Sequence, residues 1–133
     1  MKVVVACMTV MWVLASTAGA AAQDTKPAQA TADALIQAIV AKNFDAFKAL
    51  CASKVQEEHA KNPKNCKITR WWDSAQKELT EHKATWVYKA VKSNYPKNVT
   101  LTYTRSMDSG ETAVDIGVIL EGDKWLVDSA GSL

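Results

Sequence analysis

The sequence predicts an α+β domain in which N-terminal helices pack within a curved antiparallel sheet. Three observations carry this prediction. Between Leu35 and Leu79, apolar residues recur at intervals of three and four, the period of an α-helix with one buried stripe. From Trp86 onward the period falls to two, the alternation of strands with one buried face. Short turn sequences such as Asp108-Ser109-Gly110 and Glu121-Gly122-Asp123 separate these runs, so consecutive strands pair antiparallel and lie over the helices that precede them.

The amino terminus reads as a cleavable secretory signal peptide over residues 1–22. Lys2 supplies a positive charge, residues 3–14 are an almost unbroken apolar run, and Ala18, Ala20 and Ala22 place small residues where signal peptidase needs them. Cleavage is expected after Ala20 or Ala22. The apolar run is shorter than the roughly 20 residues of a membrane span. Cys7 lies within the run rather than at the cut, which argues against lipidation. Residues 23–31, rich in Ala, Gln, Thr and Pro, read as a flexible leader, and residues 32–133 as a single domain. The 16 basic residues less Lys2 leave 15 against 14 acidic ones, with no long run of either sign. That balance argues against a nucleic-acid partner.

Within the domain, Thr31 or Asp33 is placed to cap a helix whose stripe is Leu35, Ile36, Ile39 and Val40, with a stop near Lys42-Asn43. Phe44, Phe47 and Leu50 predict a short second helix. Ser53-x-x-Gln56 has the form of a capping box for a third, which ends at Asn62-Pro63. Trp72, Ala75, Leu79 and His82 mark one face of a fourth. The strands follow at residues 86–92, 99–104, 113–120 and 124–128, with a turn at residues 94–98.

After signal cleavage two cysteines remain, Cys51 and Cys66, and an even count in an exported chain predicts a disulfide between them. Closing that loop would contribute about 3 kcal/mol. A redox pair usually sits closer, as Cys-x-x-Cys. A metal pair would want more ligands nearby, and His59 between the cysteines keeps that alternative open.

Three stretches together resemble the nuclear transport factor two-like superfamily, which includes ketosteroid isomerase and small exported lumazine-binding-like domains. They are the helical run of residues 34–50 with its Phe44 and Phe47 sequel, the hairpin at Ser109-Gly110, and Gly122-Asp-Lys-Trp-Leu-Val-Asp128, similar to a closing Gly-x-Lys-Trp strand. The resemblance implies a cone-shaped roll whose concave face and first helices enclose a cavity. In the enzymes of that superfamily, an acid or base and a hydrogen-bonding Tyr, Asp or His sit there. The residues that fit such roles are His59, His82, Asp73, Tyr88, Tyr103 and Asp115. Asp115 has opposite parity to Val114, Ile116 and Val118 and is expected on the solvent face, His82 at a helix end, and His59 solvated.

The aromatic residues Trp71, Trp86, Tyr88 and Tyr103 are the candidates for ligand contact, while Trp72 shares the helix stripe with Ala75 and Leu79 and is expected in the core. No phosphate loop, zinc helix, nucleophile elbow or Cys-x-x-Cys motif is present, and neither a cofactor nor a metal is expected. Asn98-Val-Thr100 is a glycosylation acceptor should the source be eukaryotic. The expected function is an exported, periplasmic or secreted, non-catalytic module that holds a small apolar ligand or a partner protein in the mouth of the roll. A homodimer is compatible with it. The alternative is a small isomerase or dehydratase with an inward-facing acid or base. A cystatin-type inhibitor lacks its Gln-x-Val-x-Gly loop here.

Overall fold

A computed structural model of the chain describes residues 23–131 and Leu133, so the signal-peptide reading concerns residues outside this range. Four helices, α1 (Lys26–Val40), α2 (Phe44–Ala49), α3 (Ser53–Lys61) and α4 (Lys67–His82), precede four strands. The strands are β1 (Thr85–Tyr95), β2 (Asn98–Met107), β3 (Gly110–Glu121) and β4 (Lys124–Ala130), paired antiparallel in the order β1-β2-β3-β4. This is the predicted α+β class. Among the described residues no helix is long and apolar enough to cross a membrane.

Helix α1 begins earlier than the periodicity suggested. Residues 26–31, read as part of a flexible leader, are helical, because Ala28 and Ala32 are fully buried and extend the apolar stripe one turn upstream. Pro27 suits the first turn, where its missing N–H has no helical acceptor to lose. Asp33 therefore lies inside the helix and caps nothing. At the other end, Lys42 rather than Asn43 takes the left-handed conformation (φ 57°), and Asn43 caps α2 by accepting from the Ala46 N–H at 3.1 Å.

The capping box expected at α3 does not form. Gln56 instead donates to the Cys51 carbonyl, and the Ser53 N–H and hydroxyl both donate to the carboxylate of Glu121 in the distant β3–β4 hairpin. A tertiary contact thus supplies what the local motif seemed to supply. The α2–α3 link also shields the outer edge of β4. Val127 N–H donates to the Leu50 carbonyl, and Ala52 N–H donates to the Val127 carbonyl, both at 2.8 Å.

The core lies between α1, α2 and the inner face of the sheet. Leu35 and Ile39 of α1, Phe47 of α2, and Val99, Leu101, Ile116, Val118 and Val127 of the sheet are all fully buried. The space expected to be a cone-shaped cavity is therefore largely filled by side chains. Trp72 meets Phe44 and Phe47 edge-on, with centroids 5.3 and 5.1 Å apart, so it packs against the core from the helix stripe while remaining half-buried, as Trp71 does.

The predicted disulfide is corrected by the structure: Cys51 and Cys66 are both buried as free thiols. Each sulfur is engaged with its own surroundings. Cys51 Sγ donates to the Phe47 carbonyl at 3.5 Å, while Cys66 Sγ lies 3.3 Å from His59 Nδ1 and 3.3 Å from Thr69 Oγ1. Burial, and secondarily the charge of a Cys66 thiolate, pushes the Cys51 thiol up to about 12. His59, expected in solvent, is instead half-buried and tilted against Phe44 at 5.6 Å.

Candidate functional site

The inner face of the sheet is not evenly covered. Along β2, Val99, Leu101 and Tyr103 are buried, as are Val114, Ile116 and Val118 of β3 and Val127 and Ala130 of β4. Their neighbours on β1 differ. Tyr88 and Val91, which pair with Tyr103 and Leu101, remain half-exposed. Helix α1 packs over β4, β3 and β2, so on the inner side of β1 Trp86 is buried while Tyr88 and Val91 are only partly covered.

Two irregularities aim this strip. An unbroken alternation along β1 would turn Ala90 and Lys92 inward with Trp86 and Tyr88. The register slips once between Tyr88 and Ala90 and again between Val91 and Ser93, so Val91 faces inward opposite Leu101. Lys92 is released to the outer face, where its Nζ lies 2.6 Å from Asp115. Asp115 also accepts from Thr102 Oγ1, and these two partners, the lysine first, hold its carboxyl below the usual range. Asp115 thus stands outside the roll, as its parity implied.

At the floor of the strip, Tyr88 meets Tyr103 edge-on with centroids 5.7 Å apart, and Tyr103 Oη donates to Asp33 Oδ1 at 2.5 Å. Tyr103 is 1% exposed, and burial raises its phenol far above the ordinary 10.0, with the Asp33 hydrogen bond and charge adding to it. The phenol therefore stays protonated and donates, and Asp33 receives the bond as a half-exposed carboxylate. This pairing of α1 with β2 was not visible in the sequence, where Asp33 read as a helix cap. Position supplied the only signal: Asp33 lies three residues before Ile36, on the same helical face, where a carboxylate interrupts an apolar stripe.

One row along lie Trp86 and Arg105, directly opposed across β1 and β2 and therefore on the same inner face. The Trp86 indole N–H is buried without a hydrogen-bond partner, a state that costs about 1–3 kcal/mol in an otherwise satisfied protein. The structure thus brings three of the four aromatic candidates together. Tyr88 and Tyr103 touch, and Trp86 follows on the same strand. Trp71 lies on α4, half-buried against the core, outside this group.

The remaining candidates lie elsewhere. Asp73 is exposed on α4. His82, at the end of α4, pairs with Asp108 at 3.5 Å on the surface. Among the described residues no group of three or more metal-ligating side chains comes together. A separate shallow groove of 570 Å³ runs between α1 and α2, lined mainly by the methyl groups of Ala34, Ala38, Ala41, Ala46 and Ala49. It contains no ionisable group and no aromatic ring.

No protein-family model matches the chain, and no curated protein matches it. Among solved structures it is similar to an NTF2-like protein of unknown function from Cytophaga hutchinsonii ATCC 33406. That likeness has 18% sequence identity and a TM-score of 0.46, and it covers 80% of this chain and 88% of the other.

Proposed function

We propose that this chain is an exported binding module that holds a small, largely apolar ligand on the open inner side of the sheet, over β1 and β2. One observation carries the reading: the inner residues Tyr88 and Val91 of β1 stay half-buried while the apolar residues they face, Tyr103 and Leu101 of β2, and Val114, Ile116, Val118 and Val127 of β3 and β4 are fully buried. An aromatic ring held edge-on by a second ring offers a rigid apolar surface at low entropic cost. Export rests on the signal-peptide pattern of residues 1–22, and the mature chain is expected to start at Ala21 or Gln23.

Titration with the neutral fluorophore N-phenyl-1-naphthylamine tests the site. Saturable one-to-one binding is expected, weakened about tenfold by Tyr88→Ala and unaffected by Lys92→Ala on the outer face. Equal binding by wild type and Tyr88→Ala sinks the proposal.

A second reading is favoured by a specific observation. The Asp33 carboxylate faces the same strip and is anchored by the Tyr103 hydroxyl, so a carbon acid bound over Tyr88 would meet a positioned base. Asp33→Asn separates the two. A binder keeps its affinity for the neutral probe, whereas an isomerase-type enzyme loses proton exchange at the ligand's acidic carbon.

A further inference from the structure

The carboxylate of Asp33 is held in place but only half used. Tyr103 Oη donates to its Oδ1 at 2.5 Å, while Oδ2 has no hydrogen-bond partner among the described residues. No cation pairs with it either. The ion pairs among those residues are Lys92 with Asp115 and His82 with Asp108, and neither involves α1. The bulges of β1 contribute to this, because they turn Lys92 to the outer face. Arg105, on the same inner face of β2 as Tyr103, donates to the Leu133 main-chain oxygen at 3.2 Å and makes no ion pair with Asp33. The Tyr103 ring that fixes the carboxylate also meets the half-buried Tyr88 ring edge-on, with centroids 5.7 Å apart. Along α1, Ile36 and Val40 follow Asp33 by three and seven residues on one helical face, and Val40 is 53% exposed.

We propose that the strip takes a primary amine with an aliphatic body, its ammonium seated on Asp33 and Tyr88 and its chain laid along α1 toward Val40. An ammonium carries three donors and no acceptor, so it bonds the unused Oδ2 with its charge opposed to that of the carboxylate. The same charge is attracted to the face of an aromatic ring within about 6 Å, which Tyr88 offers beside Tyr103. An alcohol makes the first contact as a neutral donor and the second not at all, and an anion is repelled by Asp33. Tyr103, 1% exposed, already fixes the orientation of the carboxylate, so little side-chain freedom is lost when the ammonium arrives. From Asp33 to Val40 the helix rises by about 10 Å, room for a medium-length alkyl chain against the apolar side chains of Ile36 and Val40. This inference rests on the proposed apolar site and adds the charge and class of its head group.

Calorimetry at pH 7 compares octylamine, an ammonium at that pH, with 1-octanol, octanoate and methylamine, on protein recovered after expression of the full chain. Octylammonium is expected to bind at least about tenfold more tightly than octanol, the lower end of what a hydrogen bond to a charged group gives, and octanoate more weakly than either. Asp33→Asn should erase the preference for the amine and leave octanol binding unchanged. Tyr88→Leu keeps an apolar side chain but removes the ring, and it should lower the ratio of amine to alcohol affinity about threefold. That second variant decides the matter if Asp33→Asn fails to fold. If octanol binds through Tyr88 but octylammonium binds no more tightly, or if either variant keeps the full preference, the ammonium site is overturned and the apolar site stands. If none of the octyl compounds binds, both are overturned. Methylamine binding as tightly as octylamine overturns the role of the aliphatic body, and octanoate binding as tightly as the amine overturns selection by charge.

Discussion

Removing one oxygen atom, in Tyr103→Phe, tests whether the Asp33–Tyr103 pair ties α1 to the sheet. The phenol is almost fully buried and donates to a carboxylate, and hydrogen bonds to charged groups contribute about 1.5–3 kcal/mol. Asp33 is half-exposed, so water replaces part of what it loses, and the expected cost lies at the low end, about 1.5 kcal/mol. For a domain of this size that lowers Tm by about 5–8 °C. The effect also has a pH signature. Because the folded phenol is raised above the ordinary 10.0, its contribution is complete below pH 10 and is lost as pH climbs above it, where the unfolded chain gives up its proton first. Urea titrations of wild type, Tyr103→Phe, Asp33→Ala and the double variant, at pH 7 and pH 11, measure both effects. Equal stability of wild type and Tyr103→Phe at pH 7 refutes the reasoning. So does additivity of the two substitutions, since a real contact couples them by at least about 0.5 kcal/mol.

Three further outcomes follow from the same geometry. Burial raises the Cys51 thiol from 9.0 to about 12, so its contribution is full below pH 9 and declines by on the order of 4 kcal/mol as pH rises toward 12. Cys51→Ala should flatten that decline in alkaline urea titrations, and iodoacetamide should label both Cys51 and Cys66 in unfolded, unreduced protein. Glu121→Gln should remove the anion at the start of α3 and abolish a loss of stability on acidification. That loss arises because Ser53 holds the Glu121 carboxyl below 4.5, so the contribution is present above pH 4.5 and disappears as pH falls below it. Thermal melts between pH 3 and pH 6 show the difference. Gly117→Ala would set a methyl carbon 2.3 Å from Ser129 Oγ, a clash expected to cost about 1–2 kcal/mol. Ser129→Ala in the same chain should restore most of the loss in a chemical melt, and failure to do so would locate the strain elsewhere.

The architecture was legible because periodicity is a local property. The change from a period near 3.6 to one of 2 at Trp86 marks where α4 gives way to β1, and the Gly110 and Gly122 hairpins close where the glycines stand. Features set by contacts distant in sequence were hidden. Ser53 and Gln56 have the spacing of a capping box, yet Glu121, 68 residues from Ser53, takes the cap. The two cysteines have the count of a disulfide, but their sulfurs turn to Phe47 and to His59 and Thr69. The bulges of β1 leave no signature in composition, and they decide that Val91 faces inward and Lys92 outward.

Those bulges also explain why the candidate site lies where it does. A regular β1 would place Lys92 on the inner face opposite Val99, and its charge would keep the strip wet. Moving one lysine to the outer face leaves that lysine paired with Asp115, and the inner side of β1 carries Trp86, Tyr88 and Val91 above the buried row of β2, with the polar Asn94 at its far end opposite Val99. The strip is then apolar along its length and polar at defined points, at Asp33 through Tyr103 and at Arg105 beside Trp86. Polar groups at fixed positions in an apolar wall orient a ligand rather than merely retain it. Deleting Lys89, the extra residue of the first bulge, puts this account at risk: Ala90 then follows Tyr88 in unbroken alternation, Val91 stays inward and Lys92 outward, so affinity for a neutral apolar probe and the Lys92–Asp115 pair should both persist, and loss of either refutes the placement.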